Sequence, residues 1–164
     1  MQGSIELPLK PYLHKFLHKK LNIKNNEIDI SYTDPIAFGI LVSYALSKKR
    51  SFVLNNNPEE VGNFIDKCTS SVNLNLKSYH INKTGFILTE DAIFYINKYL
   101  DKLFRNEIFV FINSQIMYYP HLVITVAIDD FFSIFSINES DLSKQTICKI
   151  YQREKRSRAY LKSV

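Results

Sequence analysis

The chain has 164 residues, 46% of them hydrophobic, with ten Tyr, twelve Phe and no Trp. That length suits one domain with a buried core, and only four Gly and five Pro argue against both a glycine-rich β architecture and a disordered chain. The net charge is +5, yet Lys144–Val164 alone holds seven basic residues against one acid, Glu154, so everything before Lys144 sums to −1.

In chain order, Ile5-Glu6-Leu7 alternates and predicts a short edge strand. Pro11 suits the first turn of a helix in which Leu9, Leu13, Phe16, Leu17 and Leu21 share one side and Lys15 and Lys19 project from the other. Asn22–Asp29 is polar and reads as a connection. Thr33-Asp34-Pro35 predicts a helix start, with Asp34 as cap and Pro35 in the first position, ahead of the apolar run Ile36–Leu46. Lys48-Lys49-Arg50 either closes that helix at the negative end of its dipole or serves a partner. Phe52-Val53-Leu54 predicts a strand, and Val61, Phe64, Ile65 and Cys68 a small amphipathic helix.

In Val72–Ile81 the apolar Val72, Leu74 and Leu76 alternate with Asn73, Asn75 and Lys77, the pattern of a strand with one dry face. Thr89-Glu90-Asp91 opens a long amphipathic helix whose period runs through Ile93, Ile96, Leu100, Leu103, Phe104 and Ile108 to about Tyr118. Pro120 stops it and opens another, with Val123, Val126 or Ala127, and Phe131 facing inward. After the polar turn Asn138–Ser143, Ser140 or Ser143 caps a last helix that turns Ile147, Ile150 and Tyr151 to the body. The expected class is α+β: one predominantly helical domain over 1–164, with a small sheet from the segments near Ile5, Phe52 and Val72–Ile81 and a long helix near 90–118.

Lysines spread through Met1–Leu21 leave no apolar stretch of the kind a secretory signal uses. Ile108–Ile128 carries no Asp, Glu, Lys or Arg and has the length of a membrane span. Its Asn113, Ser114, Gln115, Pro120 and His121 would be costly in hydrocarbon, so no membrane partner is expected. A core or a subunit interface satisfies such groups, which makes a homo-oligomer an expectation. Cys68 and Cys148 belong to no paired motif and read as buried thiols of a reducing compartment, the cytoplasm.

The sequence offers no phosphate-cradling glycine loop and no assembled nucleophile–base set, so neither an enzyme nor a cofactor is expected. Asp129 and Asp130 point about 100° apart on a helix and cannot face each other. His14 and His18 share a helix face at metal-ligand spacing, but Lys15, Lys19 and Lys20 beside them oppose a divalent cation, and a hydrated basic face is the expectation.

The segment 122–164 has the outline of a helix–turn–helix: a first helix, the turn Ser136–Ser143, and a basic second helix. Lys144 and Gln145 at its start could reach base edges, while Lys149, Arg153, Lys155, Arg156 and Arg158 could neutralise phosphates, with support from Lys15, Lys19 and Lys48–Arg50. The alternative is a capped terminal helix with a solvated basic side. Leu7-Pro8-Leu9-Lys10-Pro11-Tyr12-Leu13 and the stretches Ala127–Phe132, Ile137–Leu142 and Thr146–Arg153 resemble small uncharacterised proteins of bacterial phages and mobile elements. The C-terminal outline is similar to the helix–turn–helix of phage-type transcription activators, without the turn glycine. The resemblance implies a phage or mobile-element setting. The resulting expectation is a non-enzymatic nucleic-acid-binding protein, DNA before RNA, with an assembly component or oligomer subunit as the alternative.

Overall fold

The computed structural model describes residues 3–30, 35–46, 58–76 and 87–161. The architecture is α+β and mostly helical: β1 (Gly3–Leu9), α1 (Pro11–Leu21), β2 (Glu27–Asp29), α2 (Phe38–Ala45), α3 (Pro58–Ile65), β3 (Ser70–Leu76), α4 (Glu90–Tyr118), α5 (Ile124–Phe135) and α6 (Lys144–Leu161). The chain divides into two compact units that meet at Leu100 and Asp101 in sequence.

The first unit is built on a three-stranded mixed sheet ordered β1-β3-β2. β1 runs antiparallel to β3 with Leu7 opposite Val72 and Ile5 opposite Leu74, while β2 runs parallel to it with Ile28 opposite Leu74. Alternation puts Leu7, Leu9, Val72, Leu74 and Leu76 on the buried face. Burial of each such side chain contributes roughly 1.5–3 kcal/mol. Pro8 is tolerated because β1 lies at the sheet edge. Pro11 opens α1, whose Leu13, Phe16 and Leu17 are buried. Leu9, expected on that helix, ends β1 instead.

β2 corrects the reading of Asn22–Asp29 as a plain connection. Asn22 ends α1 in the left-handed region (φ 50°), and Asn25 and Asn26 follow with φ of 55° and 58°. The Glu27 N–H donates to the Lys24 carbonyl at 3.3 Å, which closes a tight turn whose two central residues both have positive φ. Asparagine adopts that conformation more readily than most residues, so the asparagines reverse the chain and start a strand. The sheet thus takes Glu27–Asp29 as a member; the Phe52 segment lies outside the described residues, as do Lys48–Arg50 and the end of the Val72–Ile81 run.

The expected start of α2 at Pro35 is also corrected. The helix begins at Phe38, after Ala37 with φ 53°, and Pro35 precedes it in a turn. The Thr89 hydroxyl accepts the Ala92 N–H at 3.3 Å and caps α4 as expected. Asn97, fully buried, donates to the carbonyls of Pro8 (2.9 Å) and Ile93 (3.0 Å) and accepts the Lys10 N–H (3.3 Å). One amide therefore fixes the β1–α1 junction against α4, with its donors and acceptor used.

The second unit comprises the later turns of α4 with α5 and α6. Its core gathers Phe104, Ile108, Ile112, Ala127, Ile128, Phe131, Phe135, Ile147, Ile150 and Tyr151. Phe131 meets Phe104 and Phe111 edge-on, at centroid distances of 5.7 and 5.5 Å. Val123 is corrected from inward to 62% exposed, and Val126 is 45% exposed; Ala127 and Phe131 take the inward positions. Among the described residues, no helix is long and apolar enough to cross a membrane.

Candidate nucleic-acid interface

Two helices joined by an eight-residue turn, α5 and α6, make up the basic C-terminal segment. α5 is capped by Ser136, whose φ of 53° places it in the left-handed region where glycine is favoured. The Ile137 N–H then reaches back to the Phe132 carbonyl at 3.0 Å, and Ile137 is buried behind it. Ser136 therefore takes the conformation for which a turn glycine is ordinarily used.

The turn is stabilised by its own acids. The Asp141 carboxylate accepts the Asn138 N–H at 2.8 Å, and the Glu139 carboxylate accepts the Lys144 N–H at 3.1 and 3.2 Å. The Ser143 hydroxyl accepts the Thr146 N–H at 3.2 Å, so Ser143 rather than Ser140 is the cap. Glu139, an acid that would repel a phosphate, thus satisfies an N–H in the first turn of α6, while Asp141 closes the turn before it.

On α6, Ile147, Ile150 and Tyr151 are buried, and Tyr151 stacks on Phe109 at a 5.9 Å centroid distance. Burial raises the Tyr151 hydroxyl above its ordinary pKa, so the phenol stays neutral. At 100° per residue, Gln145, Lys149, Gln152, Arg153 and Arg156 fall on the side opposite this docked face. Gln145, Lys149, Arg153 and Arg156 are exposed and Gln152 half-exposed. Among the described residues, no carboxylate pairs with Lys149, Arg153 or Arg156. Lys155 is exposed at the flank of the stripe.

The other two expected binding residues are engaged elsewhere. Lys144 pairs with Asp129 of α5 at 2.5 Å, and the hydrogen bond to that carboxylate, then its charge, hold the ammonium pKa above the usual lysine value. Arg158 donates to Asn106 at 2.6 Å and lies over the Phe109 ring, 4.1 Å from its centroid, with Glu154 alongside at 3.9 Å. Its guanidinium serves the packing of α6 on α4. Gln152 joins the stripe without having been expected there, although its i+7 spacing from Gln145 is a signal visible in the sequence. Lys15 and Lys19 belong to the first unit.

Among the described residues, no group of three or more His, Cys, Asp and Glu is placed to hold a metal. Cys68 and Cys148 are free and half-buried rather than buried. Burial raises the Cys68 thiol pKa, and the nearby Lys10 charge lowers it by less. A groove of about 450 Å³ in the first unit is lined by Glu27, Asp29, Asn75, Ile28 and Phe38 among others. Its two carboxylates share one donor, the Asn75 amide, at 3.3 and 3.2 Å. Lys24 also lines it, and among the described residues the lining holds no His, Cys or Ser. Comparison with protein-family models, with curated proteins and with solved structures returns no match.

Proposed function

We propose that this chain is a non-enzymatic nucleic-acid-binding protein, regulatory in a phage or mobile-element setting, that binds phosphates through the outer side of α6. The observation that carries the reading is the stripe Gln145–Lys149–Arg153–Arg156, exposed and opposite the docked Ile147, Ile150 and Tyr151. A helix so anchored presents its cations at a fixed spacing with little further ordering, and duplex DNA is the partner whose groove admits it.

The test replaces Lys149, Arg153 and Arg156 together with Gln and measures duplex binding by fluorescence anisotropy at two salt concentrations. Substitution is preferable to truncation at Lys144, which would also remove the buried Ile147, Ile150 and Tyr151. The log–log salt slope should flatten by about 2.7, at about 0.9 for each phosphate that the variant no longer neutralises. Wild-type protein that binds no nucleic acid at low salt, or a triple variant with an unchanged slope, would overturn the reading.

A second reading has its own observation. Met117, Tyr118, Tyr119 and Val123, at the α4–α5 turn, are 62–82% exposed and supply an apolar surface suited to a subunit interface. Light scattering distinguishes the two: a stable oligomer without nucleic-acid affinity favours an assembly subunit.

A further inference from the structure

We propose that His14, His18 and Asn26 form a site for a borderline divalent metal ion, of the class of zinc or nickel. α1 carries the two imidazoles one turn apart with their ring centroids 4.3 Å from each other. Both Nε2 atoms converge on one oxygen, Oδ1 of Asn26, at 2.8 Å from His14 and 3.0 Å from His18. Ligand atoms around an ion with metal–ligand bonds of about 2.0–2.1 Å stand roughly 2.8–3.4 Å apart, depending on geometry. Two of the separations needed are therefore already present.

The oxygen is held from the far side. The Asn26 amide nitrogen donates to the Ser71 carbonyl at 2.9 Å, its own main-chain carbonyl accepts the Asn73 N–H at 3.0 Å, and its backbone sits at φ 58° in the turn before β2. An ion would enter by taking the Nε2 lone pairs, each imidazole moving its proton to Nδ1 and staying neutral. Water would complete the coordination. Two imidazole nitrogens and one amide oxygen select zinc, nickel or copper over magnesium or calcium, which take oxygen ligands.

The neighbouring Lys15, Lys19 and Lys20 would weaken the site by charge repulsion. Lys19 is exposed, and the Lys20 ammonium lies 5.9 Å from the Phe16 ring centroid. A neutral ligand set leaves the ion its full double charge on a basic helix, so the bound ion exchanges readily. It would tie α1 to the turn before β2 and, through Asn26, to β3.

The experiment titrates nickel into the full chain by calorimetry, for the wild type, a His14→Gln/His18→Gln double variant and a His121→Gln control. One-to-one binding is expected, weakened by more than about tenfold in the double variant, since loss of even an outer-shell partner costs that much, and unchanged in the control. No saturable binding, or equal binding by the double variant, overturns the proposal. Should the double variant fail to fold, histidine ring signals of the wild type under paramagnetic nickel decide the matter. Broadening that begins at His14 and His18 supports the site; broadening that begins at His80 or His121, or is uniform, overturns it.

Discussion

α1 and α6 are both basic helices docked by an apolar stripe, and they spend their polar sides differently. On α1, Leu13, Phe16 and Leu17 face the core, and His14 and His18 are bonded to Asn26 in the turn that follows. On α6, Ile147, Ile150 and Tyr151 face the core, while Lys149, Arg153 and Arg156 remain exposed. Similar composition thus gives one helix whose polar side is partly closed by its own fold and another whose polar side is open. Charge counting does not separate the two; the partners of each side chain do.

The comparison can be broken at its strongest joint first. Tyr151→Ala should cost about 3–5 kcal/mol in denaturant unfolding, the usual range for truncating a large buried aromatic. A cost under about 1 kcal/mol would mean that Tyr151 does not anchor α6 to the core. Next, Asn26→Ala should cost about 1–3 kcal/mol, because the Ser71 carbonyl and both imidazoles lose a partner. Arg153→Ala, on the open side, should stay within about 0.5 kcal/mol of wild type. Equal costs for these two would erase the distinction between the helices. The smallest effect expected is a gain: Ser136→Gly should stabilise by up to about 1 kcal/mol by relieving the left-handed backbone, read as a rise in the urea midpoint with unchanged slope.

Long-period patterns carry most of the fold. α4 runs from Glu90 to Tyr118, close to the span that its apolar spacing predicts, because the many turns between Thr89 and Pro120 average out local exceptions. Sequence and structure part company where short-range backbone geometry decides. β2 has three residues with Ile28 alone facing inward, too few for alternation to register, and three asparagines with positive φ conceal a strand start in a polar stretch. Pro35 lies ahead of α2 rather than inside it because Ala37, a residue with no preference for positive φ, makes the bend. At the candidate interface the basic residues are legible in the sequence but their division is not. The pairing of Lys144 with Asp129 and of Arg158 with Asn106 depends on packing between helices.

Glu139 gives α6 a direction of approach. With its carboxylate on the Lys144 N–H and the Ser143 hydroxyl on that of Thr146, the first turn already holds the acceptors an incoming anion would supply. A polyanion arriving along the axis would meet a glutamate in the place it needs. The same polyanion arriving broadside would meet Gln145, Lys149, Arg153 and Arg156. The helix is shut at its tip and open along its flank.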